Sequence, residues 1–318
     1  MKVSVIIPVY NRADLLPAVI KALLDQEYPA EIIIVDDGST DPTAEVAKGY
    51  PVKYMYQENA GPAKARNTGW KASTGDIVCF TDSDCIPQKD WTGRLAEGFI
   101  EDSIGAVGGS YDIANPESLL SRCIHEEIKL RHLKLGAMKY IRAFGSYNVA
   151  IKRHVLEETG GFNEEYRTAS GEDNDLSYRI ITAGYNIKFQ GKALVAHHHT
   201  ERLCKYLKEQ YRHGYWRMKL YKDFPDMTKG DDYTSLKDII EPPLGLLSAF
   251  SVFFLWNKYG VVCFFALLVF NAAIQMPAAV RLIKSGKDFR YLYLAFVTFF
   301  RAYARAFGML RGILKFWV

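Results

Sequence analysis

The chain has 318 residues, which exceeds the size at which a single hydrophobic core usually keeps growing, so we expect a main domain and an appended region. Its net charge of +4 argues against a nucleic-acid binder that depends on bulk electrostatics. The five cysteines are an odd number without CxxC spacing, which argues against a disulfide framework or a zinc site and indicates a reducing compartment. The first residues enter a strand at once, so we expect no signal peptide and a main domain that stays in the cytoplasm.

Up to residue 81, apolar strand patterns alternate with helical ones. Residues 3–9 form a β-branched run, and residues 14–26 carry apolar side chains at helical spacing. The alternation continues with strands at 31–35, 52–56 and 76–81 and with helices at 45–48 and 62–73. This order predicts an α/β fold with a parallel sheet and helices on its faces.

Polar side chains gather where these strands end. Asp36-Asp37 follows the second strand, and Asp82 and Asp84 follow the strand at 76–81. Residues two apart on an extended segment point the same way, so Asp82 and Asp84 would repel each other unless a cation lay between them. A polar turn with an N-cap acid is the alternative. Parallel sheets bind ligands at the carboxyl ends of their strands, so we expect a ligand site at this edge.

From residue 104 the pattern is less regular, and we expect loops and short strands around a crevice at 108–112, 144–153 and 160–166. Residues 170–187 begin with an acidic cluster and continue as a helix with an apolar face. A basic, aromatic helix is predicted at 203–221.

Six motifs occur in order along this part of the chain: VIIPVYN (5–11), IIIVDDGSTD (32–41), NAGPAKARNTG (59–69), TDSD (81–84), GGFNE (160–164) and GEDNDLSYR (171–179). Together they resemble the family-2 glycosyltransferases over roughly residues 2–220, although no single motif would suffice. The resemblance implies an α/β fold of the GT-A type, which binds nucleotide sugars on a mostly parallel sheet. It implies a catalytic domain at 1–222 that acts with inversion and depends on a metal.

The resemblance gives the two acids of TDSD a metal role. It implies that Asp84 coordinates Mn²⁺ or Mg²⁺ and that Asp82 contacts the ribose or the metal. Carboxylate oxygens suit such a hard cation, which would bridge the donor's phosphates. His197 matches the place of a third ligand in several relatives, with His199 as the alternative. A histidine that is hydrogen-bonded to backbone is the competing interpretation for either residue.

The same resemblance implies contacts to the donor nucleotide. Asp37 would accept an N–H of the base, Tyr10 would pack on the base ring, and Pro8 would fix the loop beneath it. Arg66 would approach the diphosphate, supported by Asn67. A capped turn at Asp37 and a solvent-facing Arg66 are the alternatives.

Asp173 is implied as the catalytic base, with Glu172 beside it orienting the acceptor. Inversion requires a carboxylate opposite the leaving group, which takes the acceptor's proton as its oxygen attacks. An acid that is stabilised by the positive end of the helix dipole is the alternative interpretation of this pair.

The C-terminal part is strongly apolar. We expect a linker at 223–240 and a membrane-associated helical region at 241–318. Residues 244–256 are short for a membrane span, whereas 261–280 are long enough, and a basic loop follows. Because basic segments prefer the cytoplasmic side, we expect a hairpin at 244–280, spanning or re-entrant. The cationic, aromatic tail at 301–317, including Arg301 and Arg305, is expected to lie along the interface, and a buried helical hairpin is the soluble alternative.

These patterns predict an enzyme at the cytoplasmic face of the cell membrane. It would transfer a sugar from a nucleotide diphosphate sugar, with UDP favoured by resemblance, to a lipid-linked or other glycan acceptor. The expected partners are the donor, the acceptor and membrane lipid, without nucleic acid. Transfer to polyprenyl phosphate is the first alternative. A processive polysaccharide synthase is less favoured, because its QxxRW motif has the wrong spacing in QYRHGYW (210–216). An inactive sugar-nucleotide sensor stays open.

Overall fold

The structure is a computed structural model, and it describes residues 1–229 and 236–318. The strands are β1 Val3–Val9, β2 Glu31–Asp37, β3 Lys53–Gln57, β4 Ile77–Thr81, β5 Cys85–Pro87, β6 Ile104–Ile113, β7 Asn148–Lys152 and β8 Asn186–His197. The helices are α1 Leu16–Leu24, α2 Thr43–Lys48, α3 Pro62–Ala72, α4 Trp91–Glu97, α5 Leu119–Leu135, α6 Arg153–Thr159, α7 Glu172–Thr182, α8 Leu203–Asp223, α9 Leu236–Ser251, α10 Lys258–Gly286 and α11 Leu292–Phe316.

One eight-stranded sheet organises the N-terminal part, in the order β3-β2-β1-β4-β7-β6-β8-β5. The first four strands in this order run parallel, and β6 and β8 are also parallel. The short β5 and the strand β7 run antiparallel to their neighbours. The predicted α/β fold with a mostly parallel sheet is therefore confirmed.

Continuous apolar runs form the centre of the sheet because both of its faces are covered. All seven residues of β1 are buried, and so are all five of β4. Helix α1 turns an apolar face toward the sheet, burying Leu16, Val19, Ile20 and Leu23. Because these strands are fixed at the centre, the residues that follow them at the carboxyl edge are held in defined positions.

The sequence predicted the first seven elements to within two residues at each end. It was wrong about 108–112, which lies inside the ten-residue strand β6 and is not a loop. Glycines at 108 and 109 and the polar residues after them interrupt the apolar pattern that would have indicated this strand. Asn148 explains the glycines in part, since a Cβ atom at Gly109 would lie 2.3 Å from the Asn148 side-chain oxygen.

The chain forms two compact units. The first contains residues 1–114 and 129–198, and the second contains residues 115–128 and 199–318. The division at His198 lies inside the predicted catalytic domain 1–222, and that domain boundary stays a prediction. Of the predicted linker 223–240, residues 230–235 lie outside the described part, and residues 236–240 already belong to α9.

The second unit is helical, and α8 and α11 approach each other closely. Glycines make this approach possible, since a Cβ atom at Gly308 would lie 2.0 Å from the Tyr211 carbonyl oxygen. Arg301 of α11 is 2% exposed and forms an ion pair of 2.6 Å with Glu127. Arg305 forms an ion pair of 2.7 Å with Asp238. The expectation that both arginines meet lipid headgroups is therefore wrong, because acids inside the same unit pair with them.

Helix α10 is the one helix in 1–229 and 236–318 that is long and apolar enough to cross a membrane. It has 29 residues, and the side chain of the preceding Asn257 caps it by accepting from the Gly260 N–H. The first half of the expected hairpin is shorter than a membrane-spanning helix, because α9 has 16 residues and is followed by a 3₁₀ turn. The choice between a spanning and a re-entrant hairpin stays a prediction.

Candidate active site

The two acids of the TDSD motif lie on the turn between β4 and β5. The Cys85 N–H donates to the Asp82 carbonyl oxygen at 3.1 Å, which closes this turn. Strand β5 then pairs with the end of β8, where Cys85 lies opposite His197. A second backbone hydrogen bond, from the His198 N–H to the Asp84 carbonyl oxygen, measures 2.9 Å. The strand pairing thus brings His197 to Asp84, although they are 113 positions apart along the chain.

Asp84, Cys85 and His197 form a cluster of potential metal ligands. Their ligand atoms all lie within 4.8 Å of one another, and His197 Nε2 lies 3.5 Å from Asp84 Oδ1. Burial raises the pKa of Asp84, but the charges of His197 and Arg12 and a hydrogen bond with His197 outweigh it and hold the pKa at about 2. Asp84 is therefore ionised at neutral pH and available to a cation.

This donor set fits a hard divalent ion through two of its three members. A carboxylate and an imidazole are ligands that Mn²⁺ accepts, whereas a thiol must lose its proton to ligate. Burial, together with the charges of Asp84 and Asp82, raises the pKa of Cys85 well above its ordinary value. Cys85 therefore stays protonated, and Asp84 and His197 are the residues that would hold the metal. The alternative ligand His199 lies outside this cluster, in the second compact unit.

Arg66 is the central cation of the site. It is 1% exposed, and its two terminal nitrogens contact Asp82 at 2.8 Å and Glu172 at 3.0 Å. The alternative of a solvent-facing arginine is thus wrong, because two acids from distant motifs hold the guanidinium inside. The guanidinium joins the TDSD turn to the acidic start of α7, and Asp82 and Glu172 share its one positive charge.

Glu172 and Asp173 differ in exposure although they are neighbours. Glu172 is 2% exposed and accepts a hydrogen bond of 2.7 Å from the Ser170 N–H, whereas Asp173 is half-buried. Burial and the charge of Asp173 raise the pKa of Glu172 to about 7, although Arg66 opposes the rise. Burial also raises the pKa of Asp173, against hydrogen bonds from the Asn174 and Ser146 backbones. Asp173 is the more accessible carboxylate of the two, and Glu172 is fixed by Arg66.

The implied nucleotide-binding residues lie at the carboxyl ends of β1 and β2. Pro8 is buried in β1 opposite Val35, and Tyr10 follows the strand with 49% of its side chain exposed. Asp37 is 5% exposed and already accepts hydrogen bonds from the Ala60 and Gly61 N–H groups, each at 2.9 Å. Tyr10 is therefore open to a base ring, whereas Asp37 fixes the loop before α3.

Asn67 has a structural position. Its amide nitrogen donates to the Phe162 carbonyl oxygen and to Glu164, and its oxygen accepts from the Phe162 N–H and the Trp70 indole. Three of these bonds attach the GGFNE loop to α3, the bond from Trp70 lies within α3, and the expected support of Arg66 stays a prediction.

Sequence reasoning missed a group of aromatic residues beside the metal cluster. The Tyr111 ring stacks on Tyr147 with centroids 3.8 Å apart and lies 4.9 Å from the His197 ring. Tyr111 belongs to the segment that was expected to be a loop, so its strand partner could not be assigned. The available signal was the two-residue spacing of Gly109, Tyr111 and Ile113, which places all three on one face of an extended segment.

Comparison with known proteins agrees with this geometry. Residues 4–160 match the family "Glycosyl transferase family 2". The chain belongs to this family. A probable glycosyltransferase YdaM of Bacillus subtilis is 34% identical over 206 residues, which cover 59% of this chain and 48% of the relative. The glycosyltransferase AglE of Haloferax volcanii is 29% identical over 228 residues, covering 69% of this chain and 74% of the relative.

A solved structure supports the fold. The mannosyltransferase PcManGT from Pyrobaculum calidifontis, in complex with GDP-mannose and Mn²⁺, has a TM-score of 0.65 and 23% identity. It covers 99% of this chain and 87% of the neighbour. The predicted GT-A fold and family-2 membership are thereby confirmed. The chain spans about half (48%) of the length of the B. subtilis relative.

Proposed function

We propose that this glycosyltransferase is metal-dependent and inverting, and that it transfers a sugar from a nucleotide diphosphate sugar to a lipid-linked saccharide at the cytoplasmic membrane face. The observation that carries the proposal is the chain of charges from the metal cluster to the base. Asp84 and His197 face each other at 3.5 Å, and Arg66 links the neighbouring Asp82 to Glu172 beside Asp173. Such a row supplies groups for both the leaving diphosphate and the attacking hydroxyl.

Asp173 acts as the base in this proposal. The acceptor oxygen forms a bond to the anomeric carbon while the bond from that carbon to the phosphate oxygen breaks. The hydroxyl proton passes to the Asp173 carboxylate, and the nucleoside diphosphate leaves with the bonding electron pair. Attack from the side opposite the leaving group inverts the anomeric centre. The Ser146 and Asn174 backbone hydrogen bonds hold the carboxylate for this role.

The residues on the donor side bind and orient the diphosphate. A divalent ion on Asp84 and His197 would neutralise the charge of the leaving diphosphate. Arg66 is buried, and its part is to hold Asp82 in place through their ion pair of 2.8 Å. Tyr10 offers its exposed ring to the base. We favour UDP as the nucleotide, and GDP is the competing choice because the PcManGT neighbour was solved with GDP-mannose.

The exposure pattern of α10 supports membrane association. Val262, Phe265 and Val269 are 69%, 58% and 68% exposed, whereas Asn271 and Gln275 are fully buried. A helix of a soluble protein shows the reverse, while membrane helices turn polar side chains inward and apolar ones toward lipid. A lipid environment for α10 would bring the chain to the surface on which lipid-linked acceptors reside.

A binding screen followed by product analysis tests the proposal. Thermal unfolding of the detergent-solubilised chain is measured with UDP-, GDP- and dTDP-sugars, each with and without Mn²⁺. Binding raises the apparent stability by mass action, so the true donor should raise Tm only when Mn²⁺ is present. The selected donor is then offered with a polyprenyl-diphosphate saccharide and with polyprenyl phosphate. Sugar transfer to the polyprenyl-diphosphate saccharide supports the proposal. Transfer to polyprenyl phosphate alone would assign the alternative acceptor. The absence of a metal-dependent rise in Tm for every donor would contradict the proposal.

A further inference from the structure

A flat aromatic ring lies against the candidate metal ligand His197. The centroids of Tyr111 and His197 are 4.9 Å apart, and their planes are inclined by 31°. In the parallel pairing of β6 and β8, His197 lies opposite Ile113, two residues after Tyr111. Residues two apart share a face of the sheet, so Tyr111 and His197 emerge on the same face as diagonal neighbours.

The other face of the Tyr111 ring is also covered. Tyr147 stacks on it with an interplanar angle of 11° and a centroid separation of 3.8 Å. The Tyr147 hydroxyl lies 3.4 Å from His132 Nε2, and His132 Nδ1 lies 2.8 Å from the Ser110 hydroxyl. A Cβ atom at Gly145 would lie 2.0 Å from the Tyr147 ring. The backbone at Gly145 therefore leaves Tyr147 little room to move, and Tyr147 in turn confines Tyr111.

This confinement matters for the direction in which His197 points. An imidazole turns about its bond to the Cβ atom, and a ligating nitrogen is useful only when it faces the metal. Histidine ligands usually depend on neighbouring groups for this orientation, and the loss of such a group commonly weakens metal binding 10- to 100-fold. Here His197 Nε2 faces Asp84 Oδ1 at 3.5 Å while the Tyr111 ring packs on the imidazole.

We propose that Tyr111 is a positioning residue of the metal site, which holds the His197 ring so that its Nε2 faces Asp84. The inference rests on the proposed metal-dependent function. It assigns the Tyr111 ring, and not its hydroxyl group, to this task, because the contact with His197 is between ring faces. Tyr147 serves as the support on the far side.

The test measures Mn²⁺ affinity directly, without donor. Mn²⁺ is titrated into the detergent-solubilised chain, and the electron paramagnetic resonance signal gives the concentration of unbound Mn²⁺. Tyr111→Leu keeps an apolar side chain but loses the flat ring, and it should weaken Mn²⁺ binding by about 10-fold or more. Tyr111→Phe keeps the ring and should bind like the unmodified chain. Tyr185→Leu is the matched control, because Tyr185 pairs with His154 at 5.9 Å in the same compact unit, and this variant should also bind normally.

A double-mutant cycle separates positioning from general damage. If Tyr111 acts through His197, Tyr111→Leu should cause no further loss in a His197→Ala background, whereas independent effects would add. An unchanged affinity in Tyr111→Leu, or an additive loss in the double variant, would overturn the inference. Circular dichroism checks folding, and Tyr111→Met replaces Tyr111→Leu if the latter unfolds.

The two proposals fail in different ways. Loss of Mn²⁺ binding in Asp84→Ala with normal binding in Tyr111→Leu leaves the proposed function standing and removes the role of Tyr111. Normal Mn²⁺ binding in Asp84→Ala removes the metal site itself, and the inference falls with it.

Discussion

Removal of the Arg66 charge should destabilise the chain in a way that depends on pH. Arg66 and Glu172 are 1% and 2% exposed and lie 3.0 Å apart, so Arg66→Met leaves a buried carboxylate without its cation. Breaking such a pair typically costs about 3–5 kcal/mol. For a unit of this size, a loss of about 3 kcal/mol, the lower end of that range, corresponds to a fall in Tm of roughly 6–12 °C.

The pH dependence follows from the sign of the pKa shift. Burial and Asp173 raise the pKa of Glu172 from 4.5 to about 7, and Arg66 opposes this rise. Without Arg66 the folded-state pKa rises further, so the folded variant retains a proton that the unfolded chain releases near the ordinary value. Between pH 4.5 and about 7 both folded chains keep the Glu172 proton and lose stability together, so the stability of the variant relative to the unmodified chain falls as pH rises from about 7 through the further raised pKa of the variant. The loss should be small at the acid end and full at the alkaline end.

Thermal unfolding of the chelated chain at acid and at alkaline pH measures this effect. Glu172→Gln removes the buried charge, so the double variant should recover much of the stability that Arg66→Met loses at alkaline pH. Arg94→Met is the control, since Arg94 and Asp90 are each 37% exposed and exposed pairs contribute about 0–1 kcal/mol. An equal loss at both pH values, without recovery in the double variant, would refute the assigned role of this ion pair.

Three further predictions address the site and the membrane. Excess EDTA should abolish turnover, as should Asp84→Ala with its fold intact, and full activity of either would contradict the metal site. Because burial raises the pKa of Asp173 above 3.8, the acid-side fall in kcat should occur at a pH above the ordinary aspartate range. A fall in kcat within the ordinary aspartate range would contradict the assignment of Asp173 as the base. In sealed right-side-out vesicles, a cysteine that replaces Asn257 should react with an impermeant reagent if the hairpin spans and should stay protected if it is re-entrant, whereas one at Lys287 should stay protected in either case. Labelling at Lys287 would contradict the topology, and extraction by high salt alone would exclude a membrane helix.

Local periodicity was enough to predict the sheet up to residue 81. The apolar runs of β1, β2 and β4 and the apolar face of α1 are read from neighbouring residues, so their burial needed no long-range information. The motifs also named Asp84 and Asp173 as candidate site residues, because each motif is contiguous in the chain, and His197 was named from its place along the chain.

What the sequence could not supply are contacts between distant segments. The packing of Tyr111 against His197 depends on the pairing of β6 with β8, whose register shifts between Ile104 and Ala106 and again between Gly108 and Ser110. The inward position of Arg301 depends on Glu127, which is 174 positions away. The cationic, aromatic tail that contains Arg301 resembles an interfacial helix when its sequence is considered alone. In both cases a residue's local pattern was compatible with two environments, and tertiary packing decided between them.

The central claim is that Asp173 takes the acceptor's proton while the Asp84–His197 pair holds the metal for the donor. The most direct test is single-turnover transfer by Asp173→Asn, with donor and Mn²⁺ binding measured on the same preparation. The account predicts that donor and metal affinities stay unchanged while the rate falls by on the order of 10²-fold or more, and that Glu172→Gln loses less. Full turnover in Asp173→Asn with a dead Glu172→Gln would contradict the account and give the base role to Glu172.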